Sequence, residues 1–172
     1  VMANGLVALA RGDGEVEEKQ RVDLGKLLRR LCDECGAKLR VDGDAVVLGR
    51  PVALTRAFGN LIDNAIRYGH TARIRVTGRE KEVLIEIEDD GPGIPPERLG
   101  HMFEPFVRGD SSRSSETGGA GLGLSIARQI IRAHGGAIDM ANLETRGLRV
   151  SIVLPRGREG EENAAGQEKN SL

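Results

Sequence analysis

Three stretches of the chain combine residue types and spacings able to do chemistry. In GNLIDNAIRYG, Asn60 and Asn64 stand one helical turn apart and Arg67 follows a turn later, so on a helix all three project from one side. Two amides and a guanidinium in register can hold a hydrated cation and anionic oxygens, although the same residues would also suit a solvated helix face. The second stretch, DDGPGI, follows the alternating run EVLIEIE. Asp89 therefore leaves a sheet at its edge, while Gly91 and Gly93 let the backbone approach a neighbour closely; a plain turn could carry the same letters. The third, GGAGLGLSIARQI, brings Gly119, Gly121 and Gly123 to a helix start. Unpaired N–H groups and a partial charge of about +0.5 e favour phosphate there. Glycine inside a helix costs about 1 kcal/mol relative to alanine, so the cluster implies close approach or mobility. Neither glycine cluster fits G-x-G-x-x-G and no G-x-x-x-x-G-K-[ST] occurs, which excludes dinucleotide-binding and P-loop motifs.

Hydrophobic periodicity predicts the elements that must position these residues. Residues 1–10 read as an apolar helix, and the GDG break with EVEEKQR reads as a connector, giving a boundary at 12–21. From Val22, Leu24, Leu27, Leu28 and Leu31 fall at helical spacing, with Asp23 in the cap region and Gly36 as the stop. AKLRV and AVVLG predict two short strands joined as a hairpin through Asp42-Gly43. Pro51 suits a first helical turn, and Leu54, Ala57, Phe58, Leu61, Ile62, Ala65 and Ile66 make a continuous stripe. TARIRVTG and EVLIEIED alternate as neighbouring strands that bury Ala72, Ile74, Val76, Val83, Ile85 and Ile87. A second strong helix, LGLSIARQIIRAHGG, stops at Gly135 and Gly136, and AIDMAN and LRVSIVLP close the chain as strands. The expectation is an α+β fold with helices on one face of a mixed, mainly antiparallel sheet. From Arg156 onward little can be buried, and disorder is expected over 156–172.

Composition narrows the function classes. The 172 residues carry a net charge of -1 and only 2% aromatics, so neither the electrostatic footprint nor the stacking platforms of a nucleic-acid binder are present. No apolar run approaches the ~20 residues that cross a bilayer, and the start lacks a signal-peptide pattern; a soluble, cytoplasmic piece with no membrane segment is expected. Cys32 and Cys35 form a C-x-x-C pair with no second pair nearby, while His70, His101 and His134 are scattered. This favours two thiols on one side of a helix end over a redox or zinc site.

The order of the motifs carries more than any one of them. GNLIDNAIRYG, EDDGPGI, FEPFVRGD and GAGLGLSIARQIIRAHGG resemble the N, G1, F and G2 boxes of the catalytic, ATP-binding domain of bacterial sensor histidine kinases. VRGDSSR and NAIRYGH are most similar to the EnvZ-like subgroup, and the resemblance runs from Val22 to Pro155. It implies the Bergerat ATP-binding fold, a two-layer α/β sandwich with a glycine-hinged ATP lid shared with DNA gyrase and MutL. It implies that Asn64 is a Mg2+ ligand supported by Asn60, that Arg67 lies near the phosphates, and that Tyr68 lies against adenine. Asp89 would accept a hydrogen bond from the adenine amino group, a charge-assisted bond of roughly 1.5 to 3 kcal/mol. Gly91 and Gly93 would form one hinge of a lid over 98–120, and Gly119, Gly121 and Gly123 the other, where helix N–H groups meet phosphate. Ile94, Leu122 and Leu124 belong to the same nucleotide-binding boxes. Phe103 and Phe106 would pack the lid against the ATP domain or the histidine-bearing helices, or form a satellite cluster. Arg108 and Arg113 would reach the γ-phosphate or a partner domain. Ala120 departs from the family pattern, where many relatives carry a hydroxyl.

The resemblance further implies the reaction. Gyrase-type members have a glutamate matching Asn60 that activates water; an amide cannot accept that proton. Slow hydrolysis and transfer of the γ-phosphoryl group of Mg-ATP to a histidine are therefore expected. None of the three histidines has the family's acceptor setting, and VMANGLVALARGDG resembles the tail of a dimerisation helix. The expected organisation is a helix remnant and linker over 1–21, the catalytic ATP-binding domain over 22–155 and a tail over 156–172. Partners would be the phosphoacceptor dimerisation helices of the same homodimeric kinase and a response regulator, with anchoring of the parent in the inner membrane left open. A gyrase/MutL-type ATPase module and a non-catalytic ATP-binding docking domain are the alternatives.

Overall fold

The computed structural model describes residues 17–105 and 122–157. Among these residues four helices and seven strands run in the order β1 (Gln20–Asp23), α1 (Leu24–Cys35), β2 (Lys38–Asp42), β3 (Val46–Gly49), α2 (Pro51–Gly69), β4 (Arg73–Gly78), β5 (Glu82–Glu88), α3 (Pro96–Leu99), α4 (Gly123–Ala133), β6 (Ala137–Asn142) and β7 (Leu148–Pro155). Five strands form one sheet in the order β2-β4-β5-β7-β6, and β1 and β3 pair separately. Within the larger sheet β2 runs parallel to β4, whereas the β4/β5, β5/β7 and β7/β6 pairs are antiparallel.

Alternation explains the layers. In β5, Val83, Ile85 and Ile87 are fully buried while Leu84, Glu86 and Glu88 stay half-exposed; β7 repeats this with Leu148, Val150, Ile152 and Leu154. Each fully buried aliphatic side chain contributes about 1.5–3 kcal/mol, so these strands commit one face to α2 and α4. The opposite face is polar, with Arg149 paired to Glu88 at 2.6 Å and Arg73 to Asp90 at 2.8 Å. The stripe on α2 lies where expected, with Leu54, Ala57, Phe58, Leu61, Ile62 and Ala65 buried. α1 starts at Asp23, whose carboxylate accepts from the Lys26 N–H at 3.1 Å, and stops at Gly36, whose φ of 76° is left-handed. At the far end of α4, buried His134 accepts from the Arg50 N–H through Nε2 at 3.0 Å. Nδ1 then carries the proton and donates to the Ile130 carbonyl at 2.7 Å. Burial lowers the pKa of this imidazole, so it joins α2 to α4 as a neutral group.

Three expectations are corrected. The strands AKLRV and AVVLG exist but do not form a hairpin: β2 lies beside β4, with Leu39 opposite Ile74, and β3 lies beside β1, with Val47 opposite Val22. Gly43 does turn the chain, at φ 82°. Beyond it, Arg156 holds Asp44 through its carboxylate at 2.9 Å and also bonds the Asp44 carbonyl, and the Leu24 N–H reaches the Ala45 carbonyl at 3.0 Å. These bonds carry the chain away from β2 before β3 begins. The folded unit also reaches back past Val22. Gln20 and Arg21 are in β1, and the Glu17 carboxylate accepts from the Val52 and Ala53 N–H groups at 2.7 and 3.1 Å. It caps α2, whose own N-cap residue Arg50 provides no side-chain bond. Finally, Arg156 is not part of a free tail, since its main chain bonds Lys81 and Leu48 at 3.1 Å each. The rest of the expected tail, residues 158–172, and the expected helix over 1–10 lie outside the described residues.

Candidate functional site

The polar side of α2 links the two glycine junctions. Asn60 and Asn64 are half-buried and Arg67 is exposed, on the side opposite Leu61, Ile62 and Ala65. Asn60 Nδ2 donates to the Gly123 carbonyl at 3.3 Å, tying this face to the start of α4. Eight residues on, about 12 Å along the helix axis, Tyr68 is half-buried and its carbonyl lies against Gly91. One helix face therefore has the Asp89 loop at its C-terminal end and the α4 start nearer its middle.

Asp89 leaves β5 into a tight mould. It is only 6% exposed. Its Oδ1 accepts from the Gly91 N–H at 2.9 Å and from the Leu148 N–H at 3.3 Å, and its own N–H donates to the Leu148 carbonyl at 3.0 Å. Among the described residues Oδ2 receives no such bond, yet no fully buried side-chain oxygen or nitrogen lacks a partner; Oδ2 therefore opens to the surface and remains free to accept. Burial raises the Asp89 pKa, the two N–H groups oppose that rise, and the Asp90 charge adds to it. The neighbouring carboxyl behaves in the opposite way: the Thr71 hydroxyl and the Arg73 guanidinium hold Asp90 below the usual carboxylate range. Asp90 is a structural tie between β4 and the loop, bonded to Thr71 and Arg73 at 2.7 and 2.8 Å, whereas Asp89 keeps an unsatisfied oxygen.

Glycine is required around Asp89 by packing. A methyl at Gly91 would come within 2.8 Å of the Tyr68 carbonyl oxygen, and at Gly69 within 2.5 Å of the Asp89 carboxyl carbon. At Gly147 it would run into the Asp89 carbonyl, and φ there is 108°. Gly93, at φ 75°, sits against the Asn142 side chain. Gly69, Gly147, Leu148 and Asn142 escaped the sequence reading; nothing in local periodicity connects the β6–β7 turn to a loop some fifty residues earlier.

Of the second junction, the described residues begin at Leu122. α4 begins at Gly123 with Leu122 as N-cap and no side-chain cap bond. The Ile126 N–H closes the first turn on Leu122 at 2.9 Å, which leaves the earlier N–H groups as donors. Among the described residues a methyl at Gly123 would meet Asn60, 3.8 Å away. Leu124 is buried in the core and Leu122 is half-buried, so Leu124 can offer the site its main chain and not its side chain. Ile94 is half-buried against the core. Phe103 is a core residue with the Arg128 guanidinium 5.7 Å above its ring, which packs the segment after the loop onto α4. Phe106, Arg108, Arg113, Gly119, Ala120 and Gly121 lie outside the described residues.

Cys32 is buried, its thiol pushed up to about 11 chiefly by desolvation, while Cys35 is exposed. A thiol that hard to ionise is a packing group.

Comparison with known proteins shows the family to which this fold belongs. The chain belongs to the histidine kinase-, DNA gyrase B- and HSP90-like ATPase family, which matches residues 49–158. It is 42% identical over 144 residues to the sensor histidine kinase GtrS of Pseudomonas aeruginosa, an alignment that covers 81% of this chain and 30% of GtrS. Among solved structures it is similar to the mycobacterial sensor histidine kinase MprB, with TM-score 0.68 and 31% identity over 79% of this chain and 97% of that one. The histidine kinase domain of the E. coli osmosensor EnvZ gives TM-score 0.65 and 32% identity over 85% and 94%. The family and fold expected from the four boxes are borne out.

Proposed function

We propose that this chain binds Mg-ATP between the polar face of α2, the Asp89 loop and the start of α4, and acts as the phosphoryl-donating domain of a two-component sensor histidine kinase. The observation that carries the reading is the convergence on one helix face of a buried carboxylate with a free oxygen and a helix start that has no side-chain cap among the described residues. Asp89 Oδ2 accepts from the exocyclic amino group of adenine and would repel the carbonyl that guanine presents there. Tyr68 lies along the base. Asn64 presents an amide oxygen to Mg2+, and Asn60, held to Gly123, keeps the metal face in register with the α4 donors that meet phosphate. Arg67 supplies positive charge beside the phosphates. Bound Mg2+ supplies charge neutralisation on the transferring group. The residues fit this ligand set: two amides on one helix face, with the exposed Asp63 between them, and main-chain N–H groups at the α4 start with no side-chain cap among the described residues.

Asn60 also bears on the outcome. An amide cannot take a proton from water, so transfer to a histidine is favoured over hydrolysis. His134 is buried with both ring nitrogens bonded, His101 is paired to Glu104 at 2.9 Å, and His70 is the left-handed C-cap of α2; none of the three has the family's acceptor setting, and the acceptor is a histidine on separate dimerisation helices of the parent. The relatives support this reading, being sensor kinases of which GtrS is 30% covered. A response regulator downstream and a homodimeric parent follow from the same reading, as does a cytoplasmic location. Among the described residues no helix is long and apolar enough to cross a membrane.

The test is phosphotransfer in trans. Phosphoacceptor helices from a related kinase, mixed with this chain and radiolabelled ATP, should acquire acid-labile phosphohistidine while the chain alone does not label itself. Rapid ATP turnover without acceptor would favour an ATPase module instead. Asn64→Ala should remove the Mg2+ dependence of ATP affinity.

A further inference from the structure

We propose that Asn142, at the end of β6 and outside all four nucleotide boxes, is a positioning residue that fixes the adenine-facing loop in its binding shape. The inference rests on the nucleotide reading above. Asn142 Oδ1 accepts from the Ile94 N–H at 2.8 Å, and its Nδ2 donates to the Ile94 carbonyl at 2.6 Å. One side-chain amide thus pairs with both main-chain groups of one residue, as a neighbouring strand would. The orientation of the amide is fixed, because an N–H demands its oxygen and a carbonyl its nitrogen.

The rest of the β6–β7 turn grips the other end of the same loop. Arg146 Nε donates to the Asp90 carbonyl at 3.0 Å, and Leu148 brackets Asp89 through both its main-chain groups. The turn is itself closed by the Leu143 N–H on the Gly147 carbonyl at 2.9 Å. Asp89 and Ile94 are therefore two fixed points, and between them Gly91 and Gly93 cross with the conformational freedom that glycine brings. Gly93, at φ 75°, lies directly against the Asn142 amide. Without that amide the Asp89 end stays held by Leu148, but the Gly91–Ile94 floor is released, and the base loses a preformed surface.

The experiment is calorimetry with the full chain, titrating adenosine and ATP into wild type, Asn142→Ala and Asn142→Asp. Asn142→Ala should weaken both ligands by the same factor, roughly tenfold for two lost hydrogen bonds, because the loop touches base and not phosphate. Asn142→Asp keeps the size of the side chain but, when ionised, faces the Ile94 carbonyl with no donor. When protonated it regains one. Its deficit relative to wild type should therefore shrink as pH is lowered from neutrality through the ordinary aspartate range of about 4, a dependence that a filler of space would not show. Unchanged adenosine affinity in Asn142→Ala would overturn the inference while leaving the nucleotide reading intact. Should Asn142→Ala fail to fold, a deficit of Asn142→Asp that does not vary with pH would overturn it. Wild-type protein that binds neither ligand would overturn both.

Discussion

The two glycine junctions look alike in sequence and differ in structure. At the first, Gly69, Gly91, Gly93 and Gly147 leave no room for a methyl group around Asp89 and its loop. At the second, among the described residues, Gly123 has only Asn60 nearby, at 3.8 Å, and the helix start carries no side-chain cap. On the proposed reading the first junction is built before nucleotide arrives, and the second would present its donors to the phosphates. A preformed surface for the base would lower the ordering cost of binding, while main-chain N–H groups would suit a phosphate tail whose position changes during transfer. Of the two glycines that the motif suggests as a hinge, Gly91 meets the Tyr68 backbone and Gly93 meets the Asn142 side chain.

The comparison makes graded predictions. Gly147→Ala carries the largest expected effect, since it combines a left-handed φ of 108° with a methyl in contact with the Asp89 carbonyl. It should lose about 3 kcal/mol or more of stability, read from the urea midpoint; a wild-type midpoint would show that the first junction has slack. Asp89→Asn comes next. ATP affinity should fall roughly tenfold to a hundredfold with the charge-assisted bond, while the unliganded fold becomes more stable at neutral pH because a buried charge is removed. The sign follows from linkage. A carboxyl whose folded pKa is raised by burial binds its proton more tightly when folded, so wild-type stability falls as pH rises from the unfolded value of about 3.9 through the elevated one. Asn at this position removes that fall. In wild type, ATP affinity should decline on acidification at a pH above the ordinary carboxylate range, and Asp89→Asn should be flat. Gly123→Ala is the smallest: about 0.5 kcal/mol more stable, with adenosine affinity unchanged and ATP affinity reduced severalfold, as the methyl faces Asn60 where phosphate approaches. Equal loss for adenosine and ATP would erase the distinction between the junctions.

How much of this was legible in the sequence depended on range. α2, β4 and β5 declare themselves through period, because Leu61, Ile62 and Ala65 or Val83, Ile85 and Ile87 need only their own element to form a buried stripe. The β2–β3 hairpin failed because the same alternation fits a parallel pairing, and it was Arg156, more than a hundred residues on, that turned the chain at Asp44. Glu17 looked like one more charge in a connector; its role exists only once the α2 start is folded against it. Within the candidate site, Asn60, Asn64 and Asp89 could be singled out from spacing and motif order. Asn142, Gly147 and Leu148 could not, since their contacts with the Asp89 loop cross the sheet.

Calorimetric titration of Mg-ATP into the full chain, repeated with Mg-GTP, is the most direct measurement. Saturable binding of one ATP, with GTP weaker by at least about tenfold and that preference lost in Asp89→Asn, is the expected result. No heat with ATP, or equal affinity for the two nucleotides, would contradict the account.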